Sequence, residues 1–410
     1  MRIRPFPIVA VALCAAAVAS VIELPWTFCL SFWGAAALIY MSISAGGLPA
    51  GVSGLVVAAS VGQAVWAMGG ALGFAGALIA SGGRVGAVSR ESLGLVRAVA
   101  VFVLVSSASW LAAGAPSSSS ATLLGLFVRL ALVYLFARLG SRNKIDSAIV
   151  TGLLLSAAIQ GGIGVAQQLL QLQGGHLAWI QPGIATSRVT GTETDPNYYA
   201  LSLALVAPFA LARLGGPGRR LAAVAIAFIA AGVVLSVSRT GLIALFVAFV
   251  ASTVLRSRDQ SRRRRQTVAG VVIGLAAIAI AGPSSVFARI ADLDTSNQQS
   301  SAGQRVVLWN AATKAAVHGP KQGFGPDQAR YHLQEFSSVV VPTAANDTRP
   351  LSAHNTYLDV AVDLGPIGLL LWCYLLFAVG RRAAAHRRDP KNHRAQNGGA
   401  GRVSVVAVAI

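Results

Sequence analysis

Residues 220–255 read RLAAVAIAFIAAGVVLSVSRTGLIALFVAFVASTVL. Two apolar runs, 220–236 and 241–255, flank the tight turn Ser236-Val-Ser-Arg239-Thr-Gly. Runs of about 14–20 apolar residues bounded by charge or turn residues are the mark of segments that cross hydrocarbon. The stretch therefore predicts two membrane helices joined at one face of the bilayer, with an arginine at the joint.

The whole chain shares this texture. Of its 410 residues, 55% are apolar and only 11% charged, with a mean hydropathy of +0.64. Soluble domains carry about 25% charged residues. An ordinary cytosolic enzyme, a disordered chain and a coiled coil are excluded, and a polytopic all-α membrane protein is expected. Apolar runs fall at 7–22, 27–45, 51–66, 68–81, 93–113, 121–137, 146–167, 198–213, 220–236, 241–255, 267–282 and 356–379, giving twelve spans. The division of 51–81 rests on Gly69-Gly70 alone. Arg2 and Arg4 precede the first run as they would in a signal peptide, but no A-x-A cleavage site follows, so it is read as a span.

The net charge is +19, from 33 Lys and Arg against 14 Asp and Glu. In a soluble protein this would suggest nucleic acid; here the excess lies in short breaks between spans, and no nucleic-acid partner is expected. With the N-terminus inside, 23 of the basic residues fall in cytoplasmic breaks and the tail, 8 fall outside, and Arg97 and Arg129 lie within spans. That asymmetry is the positive-inside pattern. It predicts a multi-pass protein of the inner membrane with a cytoplasmic N-terminus and its polar chemistry on the periplasmic side. Two outside segments are long, 168–197 and 283–355. The chain divides into an N-terminal transmembrane scaffold (1–144), a transmembrane region with the first outside motif loop (145–282), a periplasmic loop domain with helices (283–355), and a last span with a basic tail (356–410). Residues 403–410 are apolar but too short to span, which points to an unusual C-terminus or a truncated further span. Cys14, Cys29 and Cys373 lie in apolar runs and imply neither disulfide nor metal. Internal repeats of the kind that mark transporters are not evident.

Four polar clusters face outside. In Arg188-Val-Thr-Gly-Thr-Glu-Thr-Asp-Pro-Asn197, Asp195 and Pro196 read as a helix start, which accounts for both without a ligand, while Arg188, Asn197 and Tyr198 can line a site. Arg239 is either a snorkelling interfacial residue or an anion site, because its planar fork matches phosphate oxygens. Arg305 and Trp309 sit at i and i+4 of an expected amphipathic helix on the membrane surface, with Val306, Trp309, Ala312 and Ala316 as its apolar positions. The plain alternative is a surface arginine stacked on tryptophan. Gly323-Phe-Gly-Pro326 is a turn signal. Ala353-His354-Asn355-Thr-Tyr357 stands at the mouth of the last span, followed by Asp359, Asp363 and Gly365. His354 alone is more often structural than catalytic. Together, two arginines and one histidine facing one compartment suit a diphosphate leaving group and a hydroxyl acceptor. The inventory requires no metal: His318, His332, His354 and Asp327 match no ligand spacing.

These residues, in this order over about 145–380, resemble the O-antigen ligase family of membrane glycosyltransferases. The resemblance rests on Gly191 through Asn197, Ser238-Arg239-Thr-Gly, Arg305 with Trp309, Gly323-Phe-Gly, and His354-Asn355 with Gly365. It implies a GT-C-like enzyme that needs no metal. Such an enzyme moves a glycan from an undecaprenyl-diphosphate-linked donor to a glycolipid or glycan acceptor within the membrane. Arg239 and Arg305 would contact the diphosphate and His354 would help activate the acceptor hydroxyl. Arg188, Asp195, Asn197, Trp309, Asn355 and Tyr357 are the expected substrate-binding residues. The ending after residue 402 departs from the usual family ending. An O-antigen or exopolysaccharide polymerase of the same family is the nearest alternative. A transporter or flippase, and a non-catalytic binder of lipid-linked glycan, are the others; a transporter predicts functional charges near the mid-membrane, and only Arg97 and Arg129 qualify, with no obvious intramembrane acid to pair with either.

Overall fold

In a bilayer each backbone N–H and C=O must be satisfied within the protein, which leaves helices as the natural fate of long apolar runs. All regular structure among the described residues is helical. The structure, a computed structural model, describes residues 49–57, 90–139, 143–169, 188–256 (except 192, 194 and 215), 301–337 and 353–388. Besides a helical stretch at 49–57, the helices are α1 (Arg90–Ala112), α2 (Ser120–Leu139), α3 (Asn143–Leu169), α4 (Pro196–Arg213), α5 (Arg219–Leu235), α6 (Arg239–Arg256), α7 (Ser301–His318), the single turn α8 (Ala329–His332) and α9 (Thr356–Arg388).

Among the described residues four segments are long and apolar enough to cross a membrane: Leu93–Ala112, Ser117–Tyr134, Ser147–Leu169 and Thr356–Arg381. They coincide with the expected spans at 93–113, 121–137, 146–167 and 356–379. Helices also occupy the expected positions of 198–213, 220–236 and 241–255. The apolar part of the last is shorter, Arg239–Val250, and charge intrudes at the ends of the other two, at Arg213 and at Arg219-Arg220. The expected spans at 7–22, 27–45, 68–81 and 267–282, the second half of 51–66, the basic run Arg262–Arg265 and the tail beyond 388 lie outside the described residues.

The described helices fall into two compact units. The first holds residues 49–57 and α3 to α6. Lipid is as apolar as leucine, so helices here associate by close packing and small residues rather than by escape from water. Ala200, Ala204, Ala207 and Ala210 of α4 and Ala222 and Ala225 of α5 are buried with Leu154, Leu203, Ile229 and Val233. A β-carbon at Gly161 would overlap the Phe228 backbone of α5, and one at Gly152 the backbone of Ser53. Ser53 Oγ donates to Ala148 O at 2.7 Å, tying 49–57 to α3. Tyr199 is fully buried at the centre, where its hydroxyl donates to Gln160 O at 3.1 Å. Side chains at Gly164, Gly191 or Gly232 would each run into it.

The second unit holds α1, α2 and α7 to α9. Its organising feature is a break in α9. Gly365 has φ 66° and ψ −171°, a region open essentially to glycine alone, and Pro366 follows. Pro366 has no N–H, so the Val362 carbonyl loses its helical partner. Phe324 N–H takes its place at 3.0 Å, and Gly325 N–H donates to Asp363 O at 2.9 Å. The predicted turn Gly323-Phe-Gly-Pro326 is thus a seat for the broken helix. It fits because glycine stands on both sides: a β-carbon on Gly323 would overlap the Asp363 carbonyl, and one on Gly365 the Lys321 carbonyl. The Asp363 carboxyl accepts from Asp327 N at 2.8 Å and Ala329 N at 2.6 Å, capping α8. From α1, Ser109 Oγ lies 2.7 Å from Gln322 O and 3.0 Å from Asp363 O.

Within the protein α7 buries Leu308, Ala311, Ala312 and Ala315, with Ala316 half-buried, so of the apolar positions expected on the membrane surface Ala312 lies in this packed face. Val306 and Trp309 are 38% and 41% exposed. The small alanines let α7 approach α9, where Leu308, Ala312 and Ala315 pack with Leu333, Ala353 and Val362.

Candidate functional site

The predicted residues fall into two clusters, one in each unit. In the first, Asp195 and Pro196 start α4 as the sequence suggests: Asp195 is the cap, with Oδ1 accepting from Asn197 N at 2.6 Å. Asn197 Oδ1 in turn accepts from Arg188 Nη2 at 3.3 Å and from Ser238 Oγ at 2.8 Å. Arg188 Nε donates to Ser236 O at 2.8 Å. The 188–197 loop and the Ser236–Ser238 turn are therefore one polar assembly. Gln167 holds it from α3: its Oε1 accepts from Thr190 N and Gly191 N, and its Nε2 donates to Gly191 O.

Arg239 opens α6 and is half-buried. Ser238 caps that helix, accepting from Gly241 N at 3.1 Å. Val237, a β-branched residue, adopts φ 49°. Such a conformation costs about 1–3 kcal/mol and persists where the surroundings over-determine it. Here they do: Ser236 and Ser238 are buried on either side, bonded to Val233 O, Arg188 and Asn197. The assembly brings the Arg188 guanidinium to the strand of chain that leads into Arg239. The field of a helix N-terminus favours an anion at such a place. Nearby in the loop, burial pushes the Glu193 carboxyl above its ordinary value of 4.5.

In the second cluster, Asn355 caps α9, its Oδ1 accepting from Tyr357 N at 3.1 Å and Leu358 N at 3.4 Å. His354 stands just before the cap, exposed, with φ 50°. Its neighbour Ala353 is fully buried. Trp309 Nε1 donates to Ala353 O at 2.8 Å. Arg305 is half-buried one turn before Trp309 on the same face of α7. Trp309 and the His354 segment are thus brought together, with Arg305 one turn away on α7, while Tyr357 is exposed on the first turn of α9. His354 lies outside the helix, so it shares no helical face with Tyr357 and Asp359. Among the described residues no group of three or more His, Cys, Asp or Glu is arranged to hold a metal.

Residues 223–373 match the family model for O-antigen ligases. The chain carries an O-antigen ligase family domain. No curated protein and no solved structure shows significant similarity to the chain. The O-antigen ligase match begins inside α5 and ends inside α9, so it includes Arg239, Arg305, Trp309, His354, Asn355 and Tyr357, and it begins after Arg188, Asp195 and Asn197. The family is one of glycan transfer in the membrane.

Some residues that build the two clusters escaped the sequence analysis. Gln167 holds the first cluster with Ser236 and Ser238 of the outside turn, and it lies at the end of an apolar run with nothing to single it out. In the second unit, Gln328 Nε2 donates to Ser118 Oγ at 2.9 Å and Ser119 Oγ at 2.7 Å, and Thr122 Oγ1 donates to Asp327 Oδ2 at 3.2 Å. The serine run at 117–120 braces the loop that seats α9. A run of four serines between two spans was the visible signal.

Proposed function

We propose that this chain is a membrane glycosyltransferase that moves a glycan from an undecaprenyl-diphosphate donor to an acceptor hydroxyl. The type proposed is a ligase, with lipid A–core or a related glycolipid as acceptor. The observation that carries this reading is the match over 223–373, which spans Arg239, Arg305 and His354 in order. The bond from Trp309 to Ala353 supports it, because it keeps the His354 segment beside the helix that bears Arg305.

In the proposed reaction the acceptor O–H gives its proton to the His354 imidazole. Its oxygen bonds to the anomeric carbon of the donor sugar. The bond from that carbon to the diphosphate oxygen breaks, and the electron pair leaves with the polyprenyl diphosphate. Arg239 and Arg305 offset the charge that develops there. No step calls on a metal. The polyprenyl tail stays in the bilayer, so the reacting groups belong at span mouths, and the asymmetry of basic residues supports the periplasmic side.

Replacing Arg239, Arg305 or His354 by Ala should lower glycan transfer about 100-fold or more in membranes of a deletion strain, at normal protein levels. Full transfer by all three variants overturns the proposal. The same strain separates the ligase from the polymerase alternative. Loss of a ligase leaves long polyprenyl-linked chains, and loss of a polymerase leaves single repeats.

A further inference from the structure

The peptide before His354 is held on every side. The Ala353 methyl is buried among Leu308, Ala312, Ala315, Leu333 and Val362. Its carbonyl accepts from Trp309 Nε1 at 2.8 Å, and its N–H donates to Asp359 Oδ1 at 3.3 Å. The next residue is His354, exposed and at φ 50°. The cap bonds of Asn355 to Tyr357 and Leu358 follow at once. The backbone on both sides of His354 is therefore fixed, while the residue itself is exposed.

We propose that Trp309 and Asp359 are positioning residues that fix the His354 imidazole through the Ala353 peptide. This rests on the reading of His354 as the proton acceptor. It changes the role expected of Trp309. Its indole N–H is committed to the backbone, so the residue acts by holding rather than by binding sugar. It also gives Asp359 a part that needs only an accepting oxygen and no charge. The first limb of α9 transmits no slack, because Phe324 and Gly325 hold its far end at Val362 and Asp363. A base displaced by about 1 Å can lose about 100-fold in rate, so loosening one of these two bonds should act on turnover rather than on binding.

The test uses the full chain in membranes with a polyprenyl-diphosphate oligosaccharide donor, and rates are normalised to protein level. Trp309→Phe keeps the ring and removes the N–H; kcat should fall about 10- to 100-fold with donor KM within about twofold. Asp359→Ala should behave alike, whereas Asp359→Asn, which keeps an accepting oxygen, should stay within about threefold of wild type. In a His354→Ala background Trp309→Phe should cause no further loss, as expected of residues that act as a unit. Wild-type kcat in both Trp309→Phe and Asp359→Ala, with His354→Ala inactive, overturns the positioning role alone. A raised donor KM at unchanged kcat in Trp309→Phe also overturns it, since the indole would then serve the substrate. An Asp359→Asn variant as impaired as Asp359→Ala removes Asp359 from the role. A fully active His354→Ala overturns the base assignment itself, and the positioning role with it.

Discussion

The two clusters differ in what joins their parts. Around Arg188 and Arg239, Asn197 links the side chains of Arg188 and Ser238, and Gln167, Arg188 and Asp195 each reach a backbone group of the loop or turn. Around His354 and α9 the decisive bonds run mostly to backbone: Trp309 to the Ala353 carbonyl, Phe324 and Gly325 to the carbonyls freed at the helix break, Asp363 to the amides of α8. A side-chain cluster tolerates truncation by degrees. A backbone seat depends on two surfaces without β-carbons, and fails when either acquires one.

That contrast predicts unequal consequences. Gly365→Ala should be the most damaging, because a methyl there meets the Lys321 carbonyl and φ 66° with ψ −171° is closed to alanine. A loss of about 3 kcal/mol or more is expected, read as a collapse of folded yield in detergent and a lower Tm; an unchanged Tm would refute the backbone seat. Asn197→Ala removes the acceptor shared by Arg188 and Ser238. Bonds to a charged group contribute about 1.5–3 kcal/mol each, and partial exposure trims this, so a loss of about 1–2 kcal/mol in detergent Tm measurements is expected, with folded protein retained. A loss as large as that of Gly365→Ala would erase the distinction between the two clusters.

The smallest effect concerns Glu193. Its carboxyl is raised by burial above the ordinary 4.5, so the folded state holds the proton more tightly than the unfolded state. The stability this contributes is fully present below the ordinary value and is lost as pH rises through the raised one. A Tm–pH series should show a shallow decline over that window, and Glu193→Gln should flatten it.

Much of the helical layout was legible because apolar length is a one-dimensional property. The ends of α1, α3, α4, α5 and α6 fall within a few residues of the expected runs. The start of α4 was legible too, since Asp195 and Pro196 carry their own local chemistry. The face of α7 was not: Ala311, Ala312 and Ala315 are small enough to sit on either side, and only contact with α9 decides which is buried. Nor was the seat of α9. Gly323-Phe-Gly and Gly365-Pro366 are 40 residues apart, and each reads alone as an ordinary breaker. The partners of Ser109, Ser118 and Ser119 were not legible for the same reason, because they lie more than 200 positions downstream, even where the serine run itself stands out.

The ring of Tyr199 has a consequence for the history of such sequences. It occupies the space that side chains at positions 164, 191 and 232 would need, so four scattered sites are free to drift only as a set. A relative that acquires a methyl or more at any of the three glycines should have exchanged the tyrosine for something slimmer. Aligned sequences should record that trade as linked substitutions.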